Sequence, residues 1–322
     1  MSHDHPPRNL GLDLVRATEA AALSAGRYIG LGNREEAYRP AAQAMAEALK
    51  TLDMDGRIVI GEEGRLGEHS PLDTGLQVGT GNGPEMDVVV DPIDGAGYVA
   101  QGLPGAISVV GVTPRNCLWS PAPALYMDKI VVDREVAGAL VPECLGAPAA
   151  WTLALVARIK KKAIGDLVAF VLNRPRHADL IEEIRRAGAR IFLRPDGDVT
   201  GALMAADPRS GVDIMMGIGG AAQGIIIACA VKALGGAYLA RLAPQSREER
   251  EAIAAAGLDT RRVLTGDDIV SSNEIFVAAT GITDSAVLDG VHYRGAIAET
   301  DSLILRSETG TRRRIRAEHQ TV

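Results

Sequence analysis

A layered α/β fold is what this chain predicts, on two observations. Short apolar runs alternate along its length with segments whose apolar residues recur at helical spacing. Glycine makes up 36 of the 322 residues and often falls between those segments, where tight strand–loop–helix connections need it. Apolar residues amount to 47% and aromatics to 3%, so Ala, Val, Ile, Leu and Gly pack the core.

Leu10–Ile29 has apolar residues and alanines at helical spacing, with Gly30 as its stop. Pro40–Leu52 reads as a second helix, with Pro40 in the first turn, where its missing N–H is tolerated. Two strands come next, Ile58–Ile60 and Val88–Val90, joined by a Gly-rich polar loop through Leu72–Pro84. Pro92 is expected to stop the second strand, because it has no N–H to donate. Ala106–Val112 and Ala124–Val132 read as strands and Trp151–Lys162 as a helix. Leu167–Leu172 is a strand leading into Asn173-Arg174-Pro175-Arg176-His177. Ala178–Ala187 is a helix with Glu182 and Glu183 on its wet face. Ile191–Leu193 is a short strand ending at Asp196-Gly197-Asp198. Val212–Met216 is a strand, Gly217–Gly220 a loop and Ala221–Leu234 a helix. Ser246–Gly257 is a charged helix and Asn273–Ala279 a strand. Ser302–Ser307 and Thr311–Ala317 close the chain as strands joined by a Glu-Thr-Gly turn.

The bulk numbers exclude several classes. A net charge of −7 argues against nonspecific nucleic-acid binding. Cys117, Cys144 and Cys229 are scattered and lack CxxC spacing, which points to a reducing compartment and no zinc knuckle. No apolar run is long enough to span a bilayer, and Met1–Pro7 lacks a signal-peptide core. The expectation is a cytoplasmic protein with no membrane partner.

The chemistry concentrates in Met86–Gly97. The apolar run delivers Asp91 and Asp94 into a corner containing Pro92 and Gly95. Upstream, Glu62 and Glu63 follow directly on the Ile58–Ile60 strand. If the two strands are neighbours, Glu62, Asp91 and Asp94 converge, and three crowded acids suit a hard cation such as Mg²⁺ or Mn²⁺. Arg174, Arg176 and His177 follow a strand end, either as a phosphate grip or as a surface patch pairing with Glu182 and Glu183. Asp196-Gly197-Asp198 either receives sugar hydroxyls or caps the next helix. Gly217–Gly220 precedes a helix, where bare N–H groups attract phosphate, but its glycines do not follow the dinucleotide-binding spacing. Tyr126 either lines a sugar pocket or packs. Arg312, Arg314 and Arg316 alternate on one face of a solvated or subunit-facing strand.

These segments together resemble the class II fructose-1,6-bisphosphatase family, within the lithium-sensitive sugar and inositol phosphatase superfamily. The resemblance runs from Arg8 to about His319. It is carried by Val15–Ala22, Ile58–Glu62, Val90–Gly95, Tyr126–Lys129, Pro175–His177, Asp196–Val199, Gly217–Gly220, Ala279–Thr283 and Tyr293–Gly295. It implies an α-β-α-β-α sandwich in two halves with the site between them. Residues 1–165 would carry the metal acids and 166–322 the sugar-phosphate contacts. It implies that Glu62, Asp91 and Asp94 hold Mg²⁺ or Mn²⁺ and form the catalytic group, and that the carbonyl of Ile93 adds a ligand. The sugar-phosphate contacts would fall on Asp94, Gly95, Ala96, Tyr126, Arg174, Pro175, Arg176, Asp196, Gly197, Asp198 and Gly220. The implied reaction is hydrolysis of the 1-phosphate of a ketose bisphosphate, by a homodimer or homotetramer.

The chain departs from the family pattern where chemistry is most demanding. Tyr38 and Gln223 stand where the family has metal carboxylates, Arg34 where it has lysine, and Ala96 where it has a threonine hydroxyl. These changes predict fewer bound cations and weak or redirected hydrolysis. Two other readings share the same residues: different chemistry on a sugar phosphate, such as isomerisation, or a non-catalytic sensor or partner subunit.

Overall fold

The structure is a computed structural model that describes residues 10–61 and 69–321. Helices α1 (Leu10–Gly26) and α2 (Arg34–Leu49) open the chain, followed by strands β1 (Asp55–Ile60), β2 (Gln77–Val78) and β3 (Glu85–Asp94). Helix α3 (Ala96–Gln101) then leads into β4 (Ile107–Pro114) and β5 (Tyr126–Val132). Next come α4 (Ala149–Lys160), β6 (Val168–Leu172), α5 (Ala178–Arg186), β7 (Arg190–Arg194) and α6 (Asp198–Ala206). β8 (Ile214–Gly220), α7 (Ala221–Ala233), β9 (Ala237–Leu242), α8 (Arg247–Ala255), β10 (Leu264–Thr265) and α9 (Gly266–Ile269) follow. β11 (Phe276–Gly281), β12 (His292–Arg294), β13 (Ile297–Arg306) and β14 (Thr311–Gln320) end the described chain.

Among the described residues, fourteen strands make two sheets. The eight-stranded sheet runs β12-β13-β11-β4-β3-β1-β2, with β14 also paired to β13, and the six-stranded sheet runs β10-β9-β5-β8-β6-β7. Side chains alternate across each strand and so feed two cores. Val88 and Val90 of β3 pack with α1 and α2, whereas Val89 faces α7 and the second sheet. Met127 and Val131 of β5 face α6 and α7, whereas Ile130 and Val132 face α4 and α5. The layers are therefore α1/α2, first sheet, α6/α7, second sheet, α4/α5, which is the expected α-β-α-β-α order. No helix among the described residues is long and apolar enough to cross a membrane.

Several local expectations are corrected. α2 begins at Arg34, because Asn33 caps it by accepting from the N–H groups of Glu35 and Glu36 at 3.0 and 3.3 Å. Pro40 consequently lies inside the helix. β3 passes through Pro92 instead of stopping there. The ladder to β4 pairs Asp91 with Val109 and Asp94 with Ile107, so the proline sits in an irregularity that needs no N–H. Gly217–Gly220 is strand, not loop, and pairs antiparallel with β5 from Lys129 to Tyr126. Glu183 is not wholly solvated, since its Oε1 accepts from the N–H of Ala149 at 2.7 Å. α3, β9 and the short elements β2, β10, α9 and β12 were not anticipated.

Candidate active site

The irregularity at Pro92 has a geometric effect on the acids. Asp91 and Asp94 are three residues apart and would face opposite sides of a regular strand. Their partners Val109 and Ile107 lie two apart on one face, so the extra residue brings both carboxylates to the face that meets α6 and α7. Hydrogen bonds from those helices reach them there. Asp91 accepts from Gln223 Nε2 at 2.6 Å and from the N–H of Ile93 at 3.1 Å. Asp94 accepts from the N–H of Thr200, in the first turn of α6, at 3.2 Å.

The corner between β7 and α6 makes the reciprocal contact. Asp196 Oδ2 accepts from the N–H of Gly97, in the first turn of α3, at 3.0 Å. Each acid thus caps the helix that follows the other, and neither Asp196 nor Asp198 caps α6 through its side chain. Tyr98 locks the crossing: its hydroxyl donates to Asp196 O at 2.6 Å and accepts from Asp196 N at 3.2 Å. Burial pushes the Tyr98 phenol up to about 12. Burial first, and then the charges of Asp198, Asp91 and Asp196, hold the Asp94 carboxyl well above the usual carboxylate range, while the Thr200 N–H opposes them.

Lys129 forms the floor. It is fully buried, and its Nζ donates to Asp198 Oδ2 at 2.6 Å and to Gly220 O at 2.7 Å. Gly219 makes this possible, because a Cβ there would lie 2.0 Å from Asp198 Oδ2. His177 is buried and bridges β6 to β8, correcting the expectation of a surface histidine. Nδ1 is 2.6 Å from Leu172 O, and Nε2 accepts from the N–H of Ile218 at 2.7 Å. That pattern assigns a neutral ring with the proton on Nδ1, and burial lowers its pKa. Gly217 adopts φ 120° against the ring, where a Cβ would lie 2.9 Å from Nε2.

Arg176 does not pair with Glu182 or Glu183. Its Nε and Nη2 donate to Ile218 O at 3.1 and 2.9 Å, and its guanidinium lies 5.1 Å from the centre of the Tyr126 ring. Arg174 lies 3.7 Å from Asp196 Oδ1. On the edge strand, Arg312, Arg314 and Arg316 pair with Asp207, Asp301 and Asp289, respectively.

A cleft of about 490 Å³ opens over this arrangement. Asp94, Gly95, Ala96, Tyr126, Arg174, Arg176, Asp196, Asp198 and Gly220 all line it. Asp91, Pro175 and Gly197 are not among its lining residues. Glu62, together with Glu63, lies outside the described residues. The cleft also takes in Arg34, Glu35, Tyr38 and Gln223. Arg34, Tyr38 and Gln223 were read as departures from the family pattern rather than as contacts, and Glu35 was not anticipated. Lys129 was also missed as a site residue, although a lysine inside the apolar run Met127–Val132 is the signal of a buried ion pair.

Two carboxylates on one face are donors of the kind a hard cation takes. Asp91 and Asp94 offer carboxylate oxygens on one face, in surroundings whose negative charge already strains Asp94. Among the described residues no three carboxylates, histidines or cysteines are grouped to hold a metal, and an amide, Gln223, engages Asp91.

The sequence model of the family described as "Bacterial fructose-1,6-bisphosphatase, glpX-encoded" matches residues 8–319. A protein of Haemophilus influenzae named fructose-1,6-bisphosphatase class 2 is 37% identical, over 97% of this chain and 96% of its own length. An Escherichia coli K12 protein named fructose-1,6-bisphosphatase 1 class 2 is 35% identical, over 97% of this chain and 95% of its own. With the family match spanning residues 8–319 and both relatives aligned along 97% of its length, the chain belongs to the bacterial, glpX-encoded fructose-1,6-bisphosphatase family.

Proposed function

We propose that this chain is a metal-dependent phosphoric monoester hydrolase that removes the 1-phosphate of a ketose bisphosphate, fructose 1,6-bisphosphate or sedoheptulose 1,7-bisphosphate. One observation supports it most: a single cleft carries Asp94 at one corner and Arg34, Arg174 and Arg176 around it. Acids for a cation and guanidiniums for phosphate are what such hydrolysis requires. Two relatives carry the corresponding name, fructose-1,6-bisphosphatase class 2.

The family is metal-dependent in general. In this chain we assign Mg²⁺ or Mn²⁺ to Asp91, Asp94 and Glu62. A cation there supplies an activated water and neutralises charge developing on the phosphoryl group. Arg174 and Arg176 take phosphate oxygens by paired N–H donation. Asp196 and Asp198 accept sugar hydroxyls, and Tyr126 packs against the sugar. Gly95, Ala96 and Gly220 leave room for the ligand to approach the backbone. Arg174, held near Asp196, is pre-oriented, which lowers the entropy lost on binding.

Turnover is slowed by two side chains. Gln223 donates an amide hydrogen to Asp91 where another carboxylate would draw in a cation. Ala96 brings no hydroxyl to orient the attacking water. The test is phosphate release from both bisphosphates with Mn²⁺. Release that depends on the divalent ion, and that rises when Tyr38→Asp, Ala96→Thr and Gln223→Glu are combined, supports the reading. Folded protein that stays inert in both forms overturns it, and calorimetric binding without turnover moves the chain to the sensor reading.

A further inference from the structure

A second cleft, of about 500 Å³, opens where the β13–β14 turn meets the segment after α6 and the end of α7. Four basic side chains line it, Arg134, Arg209, Lys232 and Arg312, against one carboxylate, Asp207. This is a local excess of positive charge in a chain of net charge −7. Asp207 is shared. Its Oδ1 accepts from Arg209 Nε at 3.0 Å while its Oδ2 pairs with Arg312. One acid therefore orients two guanidiniums without neutralising both. Lys232 has a side chain only 16% exposed and donates to Val270 O at 2.8 Å and to Asp267, a carboxylate outside the cleft lining that offsets its charge. Arg134 makes no ion pair or hydrogen bond to a described residue.

The bland account is a solvated basic rim at the C-terminal end of α7, where a cation complements the helix dipole. Lys232 alone fulfils that role. It does not explain why Arg134, Arg209 and Arg312, from three separate segments, face the same space. Guanidiniums in excess over carboxylate, gathered around a cavity of this size, match a tetrahedral oxyanion.

We propose that this cleft is a second anion site, for inorganic phosphate or a small phosphorylated metabolite. Its placement connects it to the first cleft. α6 and α7 carry Asp198 and Gln223 at their N-terminal ends and lead to Asp207 and Lys232 at their C-terminal ends. Their 9 and 13 residues span about 13 and 20 Å.

The test is calorimetric titration of metal-free protein with inorganic phosphate. Arg34→Ala, Arg174→Ala and Arg176→Ala together remove the guanidiniums of the first cleft and should leave one class of phosphate site. Adding Arg134→Ala and Arg209→Ala, both exposed, should weaken that class about 10-fold or more, the loss of charge-assisted bonds. An unaltered melting temperature shows that the fold survives. The proposal is overturned if the triple variant binds no phosphate, or if the added pair of substitutions leaves the titration unchanged. A phosphomonoester used in place of phosphate then separates the two sources, with tighter binding marking a metabolite site.

Discussion

Replacing Lys129 with Met asks whether charge holds the floor of the catalytic cleft. Methionine keeps an apolar stem of similar length but removes the ammonium and its bonds to Asp198 Oδ2 and Gly220 O, at 2.6 and 2.7 Å. Removing one partner of a buried ion pair costs about 3–5 kcal/mol, because the other charge is left uncompensated. Lys129 has no exposed surface and the Asp198 side chain is only 9% exposed, so water screens little. The expected value is therefore about 4 kcal/mol, a large share of the ~5–15 kcal/mol typical of a whole domain. Urea denaturation followed by circular dichroism measures it: the midpoint falls and the slope stays constant. Asp198→Asn in the Lys129→Met background removes the stranded charge and should recover roughly 2 kcal/mol. A loss below about 1 kcal/mol, the size of an exposed surface pair, would refute the argument. A double variant less stable than Lys129→Met would do the same.

Gln223→Glu frees Asp91 from its amide and adds a carboxylate, so Mn²⁺ binding measured by calorimetry should tighten about 10-fold or more; unchanged affinity would place the cation elsewhere. His177 carries a pH dependence whose sign follows from its burial. Its folded pKa lies below the ordinary 6.5, so the unfolded chain takes up the proton first. The stabilisation is complete above about pH 6.5 and is lost as pH falls towards the folded pKa. His177→Gln should flatten that acid limb in denaturation curves taken at a series of pH values. Gly201→Ala inserts a methyl 2.3 Å from the Phe170 ring, and overpacking of that kind should lower stability by about 1–3 kcal/mol despite alanine's better helix propensity; a more stable variant would mean that α6 can shift freely.

The alternation of strands and helices was legible because central strands such as β3, β4, β6 and β11 are buried on both faces and read as apolar runs, and the middle layer reads as Ala/Ile-rich helix. The runs that carry the family resemblance lie mostly at strand ends and glycine corners, where side chains reach the cleft. What escaped the reading depends on contacts between distant segments. Gly217–Gly220 looks like a loop because glycine is poor in strands, yet here the glycines admit His177, the Asp198–Lys129 pair and Gln223 against the backbone. The start of α2 was lost because Pro40 resembles a first-turn proline more than Asn33 resembles a cap. The mutual capping of α3 and α6 involves residues 99 and 106 positions apart, with no local signature. The closeness of Asp91 to Gln223 is hidden for the same reason, at 132 positions.

The extra residue at Pro92 makes parity, rather than composition, the constraint on the acid corner. An odd offset between two acids in a pleated ladder sends them to opposite sides, and here one surplus position restores evenness. Regularising the ladder at its present length would turn one aspartate toward α1 and α2, whereas deleting one of Pro92 and Ile93 would leave the two acids an even two positions apart and on one side. Relatives that exchange amino acids freely at this corner should therefore keep either two residues between the acids with the irregularity or a single residue without it.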